Sequence, residues 1–179
     1  MKCHYYLTST LDSTQSITDD LHQAGIEDWF IHVLSKDAAG LKKHKIHSSN
    51  FLEQLDILRF GIIGAIAGLL IGFLSAVLLD RFQLFGTNLP NSAYFGLIMF
   101  WTLFCAWEGG LTGIATENKK IVLFHDDLDA GSYLLLVYSK QADEAPIKTL
   151  MAARHPEAQL TAVDTHFYNP LATLTRINV

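Results

Sequence analysis

Residues 60–79 read FGIIGAIAGLLIGFLSAVLL, twenty positions without a single charged side chain. At 1.5 Å of rise per residue, such a run makes a helix about 30 Å long, the thickness of a bilayer's hydrocarbon core. Asp80 and Arg81 end it, and RFQLFGTNLPNS, residues 81–92, forms a short polar turn around Pro90. A second apolar stretch follows over 93–115, with Tyr94, Trp101 and Trp107 along its length. Together the two stretches predict a two-helix transmembrane hairpin.

Composition agrees with that reading. Half of the 179 residues are hydrophobic and only 17% are charged; mean hydropathy is positive, which is unusual for a soluble protein. The excess is concentrated in the two apolar stretches, and the flanks have ordinary globular composition. A net charge of −5 gives no basic face for a phosphate polymer, so a lipid bilayer is the expected partner and nucleic acid is not. Cys3 and Cys105 fall in different environments, one in a strand and one in a span, and no disulfide is expected. The opening MKCHYYLTSTLDSTQS has no apolar stretch behind its single lysine, so a signal peptide is not expected.

Positive charge sets the expected orientation. Lys42, Lys43, Lys45 and Arg59 precede the first span and Lys119 and Lys120 follow the second, against Arg81 alone in the turn. Cytoplasmic flanks carry the excess of Lys and Arg, so both long flanks, and with them the N- and C-termini, are placed in the cytoplasm.

Gly64, Gly68, Gly72 and Ala76 recur every four residues on one face of the first span, where a second helix backbone can approach closely, and Gly61 and Ala65 widen the stripe. Gly109 and Gly113 repeat the spacing in the second span. These residues are read as packing positions within the hairpin and between copies of it. A glycine-rich nucleotide loop would need GxGxxG or a following Lys-Ser/Thr pair, and neither is present.

The flanks repeat one local order. CHYYLTS reads as a strand, Asp12 and Gln15 have capping-box-like spacing before a helix carrying Ile17 and Leu21, Gly25 stops it, and residues 26–34 read as a second strand covered on both faces. After the spans, SYLLLVYS, a helix with Pro146 in its first turn and Ile147, Leu150 and Met151 on one face, and QLTAVDTHF repeat β-α-β. Two such units close into a ferredoxin-like sheet of four strands with two helices on one face. The predicted fold class is therefore an α+β membrane protein, a ferredoxin-like βαβ-βαβ cytosolic domain interrupted by the hairpin. Its expected divisions are a first half over 1–36, a basic linker over 37–59, the hairpin over 60–118, a second half over 119–168 and a tail over 169–179. The linker is read either as an amphipathic interfacial segment or as a solvated connection into the first span.

HDDLDAGSYLLLV at 125–137 and ARHPEA at 153–158, placed around a glycine-rich hairpin, resemble an uncharacterised family of small bacterial two-pass inner-membrane proteins, sometimes labelled magnesium transporters or general-stress membrane proteins. The resemblance spans most of the chain. It implies a split α/β domain in a bacterial inner membrane. The ending YNPLATLTRINV departs from the more Pro-rich tail it implies.

Candidate chemistry is sparse. Glu108 is an ionisable group inside a span, about 22 Å along the helix, where it either serves an ion pathway or snorkels to the inner surface. Asp126, Asp127 and Asp129 after His125 form either a site for a hard cation such as magnesium or a solvated turn, and their spacing departs from the EF-hand pattern. His44 and His47 have metal-ligand spacing if they share a helix face, but lie among lysines. His155 reads as a helix-terminating residue. No nucleophile elbow, CxxC pair or Walker sequence occurs, so an enzyme is not expected, nor is a resident cofactor. The leading expectation is a sensor, partner-binding or scaffolding module for an unknown cytosolic partner, forming homo-oligomers through the glycine faces. The alternative is an oligomeric magnesium transporter or channel.

Overall fold

The computed structural model describes residues 1–83, 89–167 and 169–177. Part of the polar turn read over 81–92, and parts of the tail, therefore lie outside the described residues. Two compact units make up the chain: Met1–Phe51 with Lys119–Val179, and Leu52–Asn118.

The first unit is built on four strands, β1 (Lys2–Thr8), β2 (Ile31–Leu34), β3 (Tyr133–Ser139) and β4 (Gln159–Asp164), in the order β2-β3-β1-β4, all antiparallel. β1 therefore lies between the two strands of the other half, with Tyr5 opposite Leu136 on one side and Ala162 on the other. The strands of the first half, β1 and β2, are not neighbours, so neither half has a complete sheet without the other. This is the expected βαβ…βαβ arrangement with a helical hairpin inserted between β2 and β3.

Helix α1 (Leu11–Gln23) starts at Thr10, whose hydroxyl accepts a hydrogen bond from the Ser13 N–H at 3.2 Å. Thr10, not the expected Asp12–Gln15 pair, caps the helix, and Asp12 stands in the first turn where its charge favours the helix dipole. At the other end Gly25 takes a φ of +87°, a conformation that costs glycine little. β2 begins later than expected. Asp28–Phe30 form a 3-10 turn and Trp29 is 71% exposed, so only Ile31–Leu34 pair with β3. The alternating apolar residues of 26–34 do not mark where the partner strand ends.

Short helices α2 (Ala38–Lys43) and α3 (Phe51–Gln54) follow. α2 is capped by the Asp37 carboxylate, which accepts from the Gly40 N–H at 2.9 Å. It ends in a Schellman arrangement, with Ile46 N–H donating to Leu41 C=O at 3.0 Å and Lys45 N–H to Lys42 C=O at 3.2 Å. Lys45 then has a φ of +56°, where a side chain costs roughly 1–2 kcal/mol. Leu41 and Ile46 are buried in the sheet core. Residues 37–49 thus lie in the sheet unit.

Both sheet faces are covered, which explains the unbroken apolar run of β3. On one face, Tyr6, Val33, Leu135 and Val137 pack with Ile17 and Leu21 of α1 and with Ile147 and Met151 of a helix spanning Glu144–Arg154. On the other, Cys3, Tyr5, Leu134, Leu136 and Ala162 are roofed by Ile121, Phe124 and Leu128, with Phe167 and, from the tail, Leu174 against them. The Phe124 ring stacks on Tyr5 with centroids 5.6 Å apart; complete burial of such a side chain contributes about 1.5–3 kcal/mol. This second cover comes from a short helix, His125–Asp129, the 3-10 turn before it and the tail. Edges are protected as well: Val33 N–H donates to His47 C=O at 2.9 Å beside β2, and Ile177 N–H to Thr161 C=O at 2.7 Å beside β4.

The second unit is a hairpin of α4 (Ile57–Phe82) and α5 (Asn91–Ile114), so the helices in chain order are completed by α6 (His125–Asp129) and α7 (Glu144–Arg154). Both α4 and α5 are long and apolar enough to cross a membrane. Only 17% and 6% of their most apolar windows are buried, so their side chains face outward, unlike those of a soluble core helix. The glycine stripe lies at the helix contact. A Cβ at Gly64 or Gly68 would collide with the carbonyls of Cys105 or Trp101, one at Gly109 with that of Phe60, and one at Gly72 would stand 2.8 Å from Ile98 Cα. At the open end of the hairpin, Gly113 lies against Ile57, and the segments entering and leaving the hairpin are clasped by Asp56 N–H to Thr116 C=O at 3.0 Å and Asn118 N–H to Gln54 C=O at 2.8 Å. Cys3 and Cys105 are not joined in a disulfide.

Candidate functional site

Glu108 is exposed on α5, beside Gly109 at the contact with α4. Its backbone carbonyl accepts a hydrogen bond from the Thr112 hydroxyl at 3.1 Å. Gly64, Gly68, Gly72, Gly109 and Gly113 all meet backbone of the partner helix in the same chain. The stripe is thereby occupied within one hairpin.

The acidic turn is helical, held down by the buried Leu128 of α6. Its carboxylates point to different cations: Asp127 lies 2.8 Å from Arg176 and Asp129 2.7 Å from Lys36. The Lys36 hydrogen bond holds the Asp129 carboxyl below the usual carboxylate range. Among the described residues, no group of three His, Cys, Asp or Glu side chains is placed to hold a metal ion. The two histidines of HxxH also separate. His44 caps α2 and its Nδ1 meets Gln15 Oε1 at 2.5 Å, whereas His47 lies beyond the turn at Lys45 and pairs its ring with His32 at 4.9 Å. Their supposed common helix face is corrected by the end of α2 at Lys43.

His155 does end α7, and it also joins two elements. Its ring is 4% exposed, with Nε2 at 3.1 Å from Asp20 Oδ2 and Nδ1 at 3.4 Å from Glu157 Oε1. Arg154 reaches the other Asp20 oxygen at 3.1 Å, and the Ser13 hydroxyl donates to Glu157 at 2.7 Å. Above this cluster, α1 and α7 border an open cleft of about 720 Å³ lined by Asp20, Gln23, Pro146, Leu150 and Arg154 among others.

Two buried polar groups had no legible signal in the sequence. His4 is fully buried, with Nδ1 at 3.3 Å from Ser139 Oγ and Nε2 at 3.7 Å from Glu144 Oε1. Burial, then the nearby Lys148, push its pKa down. Glu144 is pulled down to about 2 by hydrogen bonds from Lys148 and Lys2. Although serine, histidine and glutamate follow one another here, the hydroxyl and ring are sealed in the core. Lys120 is buried too, with Nζ at 2.7 Å from Asp164 Oδ2 and at 3.2 and 3.3 Å from the carbonyls of His166 and Phe167. The sequence had counted it among the cations flanking a span. Arg59, counted with it, meets Asp56 at 2.8 Å.

The fold defines a class: an antiparallel α+β unit whose chain is interrupted between adjacent strands by two helices of membrane-spanning length and composition. No protein-family model matches the chain, and no curated protein shows significant similarity to it.

Proposed function

We propose that the chain is a non-enzymatic, two-span protein of a bacterial inner membrane, whose cytoplasmic ferredoxin-like domain acts as a sensor or scaffold coupled to its hairpin. The insertion point supports this most directly. α4 and α5 interrupt the chain between β2 and β3, which are hydrogen-bonded neighbours from Ile31 opposite Val137 to Leu34 opposite Leu134. A displacement of the spans is delivered through both connections to adjacent strands of one sheet. The helix-lined cleft with Asp20 and Arg154 at its border is the surface offered to a cytosolic partner. Self-association uses the outer faces of the hairpin, because the glycines are already engaged.

Hairpin-to-sheet coupling is tested with the full chain in nanodiscs. Gly68→Leu wedges α4 from the Trp101 backbone, and amide exchange is followed in Ile31–Leu34 and Tyr133–Ser139. Faster exchange there supports coupling, whereas a loosened hairpin with unchanged sheet exchange rejects it. Reporter fusions at both termini test the orientation, and activity outside the cytoplasm at either end refutes it.

A further inference from the structure

In a chain of net charge −5, the sheet unit neutralises most of its cations internally. Lys2 and Lys148 each meet Glu144 at 2.8 Å, Lys36 meets Asp129, Lys120 meets Asp164, Arg154 meets Asp20 and Arg176 meets Asp127. Lys140 lies over the Phe30 ring. Lys42, Lys43 and Lys45 differ as a cluster: like Lys119 they are exposed, and among the described residues none of them forms an ion pair, but they alone stand together within four positions. Buried Leu41 and Ile46 root the segment that carries them, so the charges stand on a fixed surface.

Lys45 adds a second observation. It occupies the left-handed position that closes α2, with a φ of +56°, where glycine is the favoured residue. Its side chain therefore lowers stability relative to glycine, and the dipole of a helix of 6 residues offers limited compensation. Strained positions of this kind cluster where a side chain serves function.

We infer that Lys42, Lys43 and Lys45 form a docking surface for the anionic lipid headgroups of the inner leaflet, holding the sheet unit against the membrane. The inference rests on the proposed two-span topology. Chain reach permits it: the eleven residues between Lys45 and Ile57 extend to at most about 40 Å, so the lysines stay within reach of the bilayer surface. Phe51 and Leu52, 56% and 52% exposed, lie within that tether and suit the headgroup boundary. Near an anionic surface each lysine strengthens attachment about fivefold, and three together do so on the order of a hundredfold.

The test uses the full chain in a Cys105→Ala background, Cys3 being fully buried, with an environment-sensitive dye on Ala39→Cys. Nanodiscs contain phosphatidylcholine alone or with phosphatidylglycerol, plus a headgroup-nitroxide quencher. Quenching is expected to be several-fold stronger with phosphatidylglycerol, and to be lost at about 1 M salt, where the Debye length is about 3 Å. Triple replacement of the three lysines by glutamine is expected to abolish the lipid dependence. Lys45→Gly is expected to weaken it while raising the unfolding temperature. Equal quenching in both lipids, or lipid dependence retained by the triple variant, overturns the inference. So does loss from the triple variant of a co-purifying nucleic acid or acidic protein without lipid dependence. Incorporation is scored first by flotation: a chain that fails to float with the discs overturns the topology, whereas one that floats but ignores headgroup charge overturns only the docking.

Discussion

Lys120 Nζ lies 2.7 Å from Asp164 Oδ2, joining the first residues after the hairpin to the end of β4, with side chains only 9% and 4% exposed. Two further acceptors, the carbonyls of His166 and Phe167, complete the ammonium group's surroundings. Removing one member leaves the other charge buried without its partner, a loss of about 3–5 kcal/mol. Lys120→Ala should therefore lower stability strongly, whereas Lys120→Met with Asp164→Leu should recover much of it. Urea unfolding of the full chain in detergent checks both, and a mild effect of Lys120→Ala would show that the pair carries little.

Glycines of the hairpin divide by what a methyl group would meet. Gly64→Ala drives a Cβ into the Cys105 carbonyl and should cost about 1–3 kcal/mol. Gly96→Ala and Gly110→Ala meet nothing within 4 Å and should stabilise their helix by roughly 0.5–1 kcal/mol. Opposite signs in thermal unfolding in detergent are the expected pattern; equal effects at the three sites would contradict the close packing of α4 on α5.

Acid should weaken the sheet unit in two stages. His4 has a lowered pKa when folded, so the unfolded chain takes up its proton first and the histidine's contribution to stability declines as pH falls below about 6.5. Glu144 is held at about 2 against an ordinary 4.5, so its contribution is present above 4.5 and declines as pH falls from there towards 2. His4→Gln should flatten the upper part of the acid limb and Glu144→Gln the lower part, as read by unfolding free energy against pH.

For Glu108, exposed on α5, the proposed scaffold function predicts no Glu108-dependent cation transport. Proteoliposomes loaded with a magnesium-sensitive dye should show equal, background uptake for the natural chain and Glu108→Gln. Uptake that disappears with Glu108→Gln would replace the scaffold with an ion pathway.

Much of the fold was legible because its signals are local. The charge-free run at 60–79 announces α4, the four-residue recurrence of Gly64, Gly68 and Gly72 announces its contact face, and the repeated β-α-β order announces the sheet. Candidate-site residues were legible as residue types but not as neighbours. His155 is placed against Asp20 and His4 against Ser139 and Glu144 across more than a hundred residues of chain, and no spacing rule links such partners. Asp126, Asp127 and Asp129 are adjacent in sequence, yet the helical turn of α6 sends two of them to Arg176 and Lys36, on different segments.

The two long apolar helices and the two β-α-β units around them were thus determined by the sequence alone, because chain length, charge and periodicity act within a few residues. Tertiary structure decided that β1 lies between β3 and β4, that Phe124, Leu128 and the tail roof the second face, and which cations are neutralised. Those outcomes depend on closing a chain over long separations around a shared core, where burial selects partners and leaves Lys42, Lys43 and Lys45 exposed while Lys120 is enclosed.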